Sequence, residues 1–289
     1  MPSPADLDAR VAATVAALAD ASTVASASLD AEAPALGRLL DGGALDLAGV
    51  DPPALRVLLE ALAAAPASAA LRGLLLDDSG LAGAADGERI AACLKKQVFI
   101  ERLDVAGSGL GDDGLAPVLA ALCGRTFAAL ALDRIELSAA LRRRLAEDVA
   151  AGTLTVEHIS VHATHREVIR EPELAAWLAA LAPPSPLRSL DLRGYELPQG
   201  AGDRLVAALA DNHRLIYLGV DLPPEDATHH ARTLAAYLAR NHNRAPRGTS
   251  RPPSRERLRQ AVTSPPRAPE VTPPSPGSAP PGDLNPDDL

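Results

Sequence analysis

The sequence predicts an α/β solenoid, a curved stack of short strands and helices, and three observations carry this prediction. First, an apolar triplet at positions one, four and six of a six-residue window recurs seven times. Second, the windows start at residues 42, 71, 100, 127, 156, 187 and 215, so their spacing stays between 27 and 31 residues. Third, amphipathic helical patterns lie between the windows. This period is typical of stacked repeats, in which each unit packs only on its neighbours.

Each window predicts a short strand whose apolar residues enter the core. The triplets are Gly42/Leu45/Leu47, Leu71/Leu74/Leu76, Ile100/Leu103/Val105, Phe127/Leu130/Leu132, Val156/Ile159/Val161, Leu187/Leu190/Leu192 and Leu215/Leu218/Val220. Because side chains alternate along a strand, positions four and six should face the core, and positions three, five and seven the concave surface. The seven strands should form one parallel sheet on the inside of the curve.

The segments between the windows predict helices, because apolar residues recur there at steps of three and four. Two examples are Leu55/Leu58/Leu59/Leu62 and Leu174/Trp177/Leu178/Leu181. Helix start signals such as Pro53 and Ser138, and stop signals such as Gly124 and Gly152, bound several of them. One strand and one helix cannot bury both of their apolar faces alone, so the units must stack.

Residues 187–220 show one complete unit, LRSLDLRGYELPQGAGDRLVAALADNHRLIYLGV. This segment resembles a leucine-rich repeat of the ribonuclease-inhibitor subtype, and the likeness covers residues 42–243. The resemblance implies a leucine-rich-repeat solenoid with a parallel inner sheet, outer helices and seven repeats. It departs from the family at the asparagine usually found shortly after the strand. Those positions hold Gly49, Asp78, Gly107, Arg134, Ala163, Gly194 and Leu222.

Three segments are expected along the chain. Residues 1–41 are Ala-rich and place Val11, Val15 and Leu18 on one helical face, which predicts an N-terminal helical cap. Residues 42–243 form the repeat array. Residues 244–289 are rich in Pro, Ser, Gly and Arg and hold few large apolar residues, so they predict a disordered tail.

Charge and hydrophobicity narrow the classes of partner. The formal net charge of the chain is −9. The last 49 residues have a net charge of +2, so the preceding residues have a net charge of −11. An acidic array lacks the phosphate contacts of a general nucleic-acid binder, so no nucleic acid is expected. No apolar run reaches the length of a membrane span, and the N-terminus lacks the basic start of a signal peptide. We therefore expect no membrane partner and a cytoplasmic location.

The concave surface is the candidate binding site for a protein partner. Its predicted contact residues are Asp46, Asp77, Arg102, Asp104, Asp133, His158, His162, Asp191, Arg193, Tyr217 and Asp221. Six of them are aspartates, and neighbouring strands lie about 4.8 Å apart, so they predict an acidic strip that suits a basic segment of a partner. The alternative is a solvated face whose carboxylates only keep an exposed sheet soluble.

Catalytic and metal chemistry find little support in the sequence. Ser160, His162 and Asp191 share one face, but an open sheet offers neither a pocket nor an oxyanion hole. His158 and His162 lie about 13 Å apart along one strand, too far to bind one metal ion. We therefore expect a protein that is not an enzyme, with no cofactor and no metal ion.

The leading hypothesis is thus a non-enzymatic scaffold that binds a partner through its concave face. High Ala and Pro content, with Arg strongly favoured over Lys, indicates a GC-rich and bacterial genome. One alternative is a bacterial effector, type III-like and secreted into a host cell, because the resemblance includes exported proteins of plant-associated bacteria. The other alternative is an enzyme with a site on the concave face near His158 and His162.

Overall fold

The computed structural model describes residues 38–40, 43–69 and 71–244. The described strands are β1 (Arg38–Leu40), β2 (Ala44–Asp46), β3 (Gly73–Leu75), β4 (Arg102–Asp104), β5 (Thr126–Ala131), β6 (Thr155–Ser160), β7 (Glu167–Val168), β8 (Ser189–Glu196) and β9 (Tyr217–Asp221). The described helices are α1 (Pro52–Ala64), α2 (Gly83–Lys96), α3 (Gly111–Leu122), α4 (Ala139–Ala150), α5 (Glu171–Leu181), α6 (Ala201–Ala210) and α7 (Pro224–Arg244). None of these helices is both long enough and apolar enough to cross a membrane.

Seven strands pair in parallel, in the order β2, β3, β4, β5, β6, β8 and β9. They are the strands that the seven windows predict, and their position-four residues stand in register from Leu45 through Leu74 and Leu103 to Leu218. The helices α1 to α7 alternate with them on the outer side. The chain is therefore a leucine-rich-repeat solenoid, and the predicted fold class is confirmed.

Two short strands were not predicted. β1 pairs antiparallel with β2, with Arg38 opposite Asp46, and it lies inside the segment that was interpreted as a helical cap. An edge strand leaves a row of backbone groups unpaired, and β1 supplies their partners. β7 pairs with the end of β8, with Glu167 opposite Tyr195. The rest of the predicted cap, residues 1–37 and 41, and the predicted tail from residue 245 onward lie outside the described residues.

The core lies between the sheet and the helices. Leu74 and Leu103 are 0% and 2% exposed, and one continuous cluster of buried apolar residues runs from the first unit to the last. Leu218 occupies the same position four in the last strand and Val220 occupies its position six, but both are only half-buried. Interior layers of the core are thus buried by the layers on both sides of them, and the last described layer is covered on one side only.

The turn after most of the seven predicted strands passes through the left-handed region. The leucine-rich-repeat asparagine is replaced by another residue at seven positions, and five of these positions have positive φ. They are Gly49 (75°), Asp78 (51°), Gly107 (67°), Arg134 (60°) and Gly194 (83°). Glycine adopts this conformation without steric cost, which explains its frequency here. The turn therefore repeats without an asparagine.

Polar side chains connect the ends of neighbouring helices. Gln97 Nε2 donates to the carbonyl of Leu62 at 2.7 Å, and Asn212 Nδ2 donates to the carbonyl of Leu181 at 2.6 Å. Arg125, which follows α3, likewise donates to the carbonyls of Leu94 and Ile100. The last carbonyls of a helix have no partner within the helix, so these bonds satisfy them and fix the stacking of adjacent units.

Candidate interaction surface on the concave face

The predicted concave rows exist in the sheet. Position-five residues stand side by side in the order Asp46, Leu75, Asp104, Ala131, Ser160, Asp191 and Gly219. Position-three residues follow the order Ala44, Gly73, Arg102, Ala129, His158, Ser189 and Tyr217. The structure therefore places six of the eleven predicted contact residues in these two rows: Asp46, Arg102, Asp104, His158, Asp191 and Tyr217.

The predicted acidic strip is not freely solvated. Asp77, Asp104 and Asp191 are only 2%, 6% and 7% exposed, so the expectation that they face solvent is wrong. Asp104 accepts the backbone N–H of Ala106 at 2.9 Å. Asp191 accepts the N–H two residues ahead of it in the same way, at 3.1 Å. These carboxylates stabilise the turn that follows the strand, a role of short acidic side chains that a face assignment does not reveal.

Aspartates at position seven link neighbouring strands. Asp133 Oδ1 accepts the N–H of His162 at 2.7 Å and also the hydroxyl of Ser160. Asp221 Oδ2 accepts the N–H of Gly194 at 2.7 Å. Asp133 is half-buried and Asp221 is exposed, so Asp221 can still meet a partner.

Arg193 forms an ion pair with Asp191 near the C-terminal end of the concave face. Its Nε and Nη2 atoms donate to the two carboxylate oxygens of Asp191 at 2.9 and 2.6 Å, and this hydrogen bonding raises the pKa of Arg193. The hydroxyl of Tyr217 lies 3.4 Å from the same carboxylate. Gly219 provides space for the Asp191 carboxylate, because a Cβ at position 219 would lie 2.4 Å from Asp191 Oδ1. These predicted residues thus form one cluster.

The two histidines of β6 and its following turn differ in environment. Burial lowers the pKa of His158; Glu157 opposes this shift, and the cations Arg188 and Arg102 add to it. Its Nδ1 atom is buried without a hydrogen-bond partner among the described residues. His162 is half-buried and binds through its backbone to Asp133. Within the described ranges, no group of three or more His, Cys, Asp or Glu side chains is placed to hold a metal ion.

A cleft of about 640 Å³ opens where the ends of β6, β8 and β9 meet, and we call it the C-terminal cleft. Its lining includes His162, Arg166, Arg193, Tyr195, Glu196 and Asp221. Three of these six were predicted as contact residues, and sequence reasoning missed Arg166, Tyr195 and Glu196. The sequence did contain one sign of these residues. The spacing between the fifth and sixth windows is 31 residues, the longest of the six spacings, and the additional residues form the loop before β7.

The cleft presents both signs of charge above a rigid floor. Arg166 Nε lies 3.2 Å from Glu196 Oε2, and both side chains are exposed. Below them Tyr195 is 2% exposed, and burial raises its pKa to about 12. The guanidinium of Arg142 stacks 4.8 Å from the Tyr195 ring and pairs with buried Glu173 at 2.8 Å. These contacts fix the floor of the cleft while its rim stays accessible.

Comparisons with known proteins add little to this picture. No protein-family model matches the chain, and no curated protein matches it. A structural match is the C-terminal domain of tropomodulin from Caenorhabditis elegans, with 15% sequence identity and a TM-score of 0.32. The match covers 58% of this chain and 88% of that domain. The fold assignment therefore rests on the strand register and the repeat described above.

Proposed function

We propose that this protein is a non-enzymatic scaffold that binds a protein partner through the C-terminal half of its concave face. The observation that supports this proposal is the C-terminal cleft beside half-exposed polar side chains. Clefts of a few hundred Å³ with a few convergent polar groups are common binding sites. The array also presents a continuous curved surface, which repeat proteins use for binding.

The chemistry of the partner follows from the carboxylates that remain accessible. Asp104 and Asp191 are buried, whereas Asp221 and Glu196 are exposed at the rim of the cleft. A basic segment of a partner would therefore meet Asp221 and Glu196. Charges at such a rim act mainly on the rate of association and on its dependence on salt.

The test is an affinity capture with the full chain as bait, followed by affinity measurements with the captured partner. The double variant Asp221→Asn with Glu196→Gln should bind more weakly at low salt, and the residual binding should depend less on salt. Asn at position 221 keeps an oxygen for the N–H of Gly194, so the fold is preserved. Glu88→Gln, an exposed change on the outer helix α2, is the matched control. Equal affinities of the parent and the double variant at every salt concentration refute the proposal.

A further inference from the structure

Two large apolar side chains are exposed next to each other on the loop that joins α2 to β4. Val98 is 56% exposed and Phe99 is 38% exposed. Single exposed apolar residues are common on protein surfaces, whereas adjacent ones often mark a binding site. Lys95 and Lys96, at the end of α2, are exposed beside them. We call Lys95, Lys96, Val98 and Phe99 the edge patch, because they lie where the chain enters the N-terminal edge of the sheet.

The repeat itself does not require an apolar residue at this point. Phe99 occupies the last position before its six-residue window. The residues at this position in the other six units are Asp41, Ala70, Thr126, Thr155, Pro186 and Arg214. None of the six is aromatic or a large aliphatic residue, as expected for a return loop that meets water. The exposed Phe99 is therefore a feature of one unit and does not follow from the solenoid.

Both neighbouring units hold the backbone that carries the edge patch. The side chain of Gln97 is 1% exposed, and its Nε2 atom donates to the carbonyl of Leu62 in the preceding unit at 2.7 Å. From the following unit, Arg125 donates to the carbonyls of Leu94 and Val98 at 2.7 and 3.1 Å. A fixed backbone loses little conformational entropy when a ligand binds to it. The array therefore presents Val98 and Phe99 on a preorganised loop.

The ring of Phe99 also has a fixed neighbour. The guanidinium carbon of Arg72 lies over the ring, 5.7 Å from its centroid. Arg72 is itself held by Glu101, because its Nη1 atom donates to Glu101 Oε1 at 2.8 Å. A cation over an aromatic face is attracted by the ring. This contact orients the ring and leaves part of it open to solvent.

The edge patch is positively charged on an array that is otherwise acidic. Lys95 and Lys96 are the only lysines of the chain, and neither forms an ion pair with another described residue. Among the helices α1 to α6, α2 alone has basic residues in its last turn. The net charge of the first 240 residues is −11. The two lysines therefore provide a local attraction for an acidic group.

We propose that the edge patch binds a short acidic segment of another protein that carries an apolar side chain. Carboxylates of the segment pair with Lys95 and Lys96, and its apolar side chain packs on Val98 and Phe99. A stable dimer buries about 1,200 Å² or more, which two large apolar side chains do not supply. An anionic membrane is the weaker match, because it would repel the acidic array around the patch.

The test selects short random peptides, displayed on phage, for binding to the full chain. We expect enrichment of peptides in which Asp or Glu flanks Leu, Ile or Phe. The enriched peptides are then synthesised, and fluorescence polarisation measures their affinity for variants of the full chain. Val98→Ser with Phe99→Ser should weaken binding about tenfold. Lys95→Gln with Lys96→Gln should weaken it about fivefold at low salt and less at high salt.

Matched controls separate the edge patch from other surfaces. Val168→Ser changes a valine that is also 56% exposed, and Arg232→Gln removes an exposed cation of α7. Both should leave the affinity within about twofold. The double variant Asp221→Asn with Glu196→Gln should do the same, because those residues line the C-terminal cleft and not the edge patch. Circular dichroism confirms that each variant is folded.

Several results would overturn the proposal. They are the absence of any enriched peptide, enrichment of basic peptides alone, and acidic peptides that bind the Val98→Ser, Phe99→Ser variant as tightly as the parent. Sedimentation of the parent as a dimer that this variant dissociates would assign the patch to a second copy instead. Binding of the parent, but not of this variant, to vesicles of anionic lipid would assign it to a membrane.

Discussion

At the scale of single residues, five aspartates of the concave face accept hydrogen bonds from the protein's own backbone. Asp46, Asp104 and Asp191 each accept the N–H of the residue two positions ahead. Asp133 and Asp221 accept an N–H from the neighbouring strand. Hydrogen bonds to a carboxylate are stronger than neutral ones, so these groups are poor candidates for substitution without structural cost.

A matched pair of substitutions tests this role. Asp104→Ala leaves the buried N–H of Ala106 without its acceptor and should lower the free energy of unfolding by about 1–3 kcal/mol. Asp46→Ala breaks the equivalent bond at an exposed site, where water replaces the carboxylate, and should cost less. Urea denaturation of both variants gives the comparison. A larger loss for Asp46→Ala than for Asp104→Ala would contradict the structural role assigned to Asp104.

At the scale of elements, glycines let the backbones of α2 and α3 approach each other closely. A Cβ at Gly87 would lie 2.0 Å from the carbonyl oxygen of Gly114, and a Cβ at Gly114 would lie 2.6 Å from the carbonyl oxygen of Gly83. Glycine permits this contact because it has no side chain to separate the two backbones. The sequence offers no sign of it, since Gly within a helix usually weakens the helix.

We therefore expect Gly87→Ala to destabilise the protein, although alanine favours helices. Overpacking of this kind costs about 1–3 kcal/mol, more than the helix propensity that alanine restores. Glu88→Ala, at the exposed neighbouring position of α2, should change stability by no more than about 0.5 kcal/mol. Thermal unfolding followed by circular dichroism measures both. A Gly87→Ala variant as stable as the control would show that the two helices can separate without loss.

At the scale of the whole molecule, stacked layers determine how much each unit contributes. Interior layers have a neighbour on both sides, and the described last layer has a neighbour on one side only. Leu103 is 2% exposed in an interior layer, whereas Leu218 holds the same position in the last layer and is half-buried. Identical residues at the same repeat position therefore contribute different amounts to the free energy of unfolding.

Leu103→Ala should lower the free energy of unfolding by about 2–5 kcal/mol, because the interior of the array cannot close around the cavity. Leu218→Ala should cost distinctly less, since its side chain is partly in water before the change. Denaturant unfolding with a common slope allows the two losses to be compared. Equal losses would mean that the end layer is packed as tightly as the interior.

Most of the repeat architecture could be predicted from the sequence. The spacing of Leu74, Leu103 and Leu190 marked three of the strands, and helical periodicity marked the helices between them. Such patterns are local, and they survive in a single sequence because each unit repeats the same packing problem. β1 and β7 were missed, since strands of three and two residues carry no measurable period.

The sequence by itself determined the order of strands and helices, the side of each strand that enters the core, and the rows of the concave face. Tertiary structure alone decided which members of those rows meet solvent. Asp104 and Asp221 have the same side chain and are both assigned to the concave face, yet one is buried and the other is exposed. Alternation along a strand fixes which face a residue joins, but burial on that face depends on neighbours from other repeats, which no local pattern encodes.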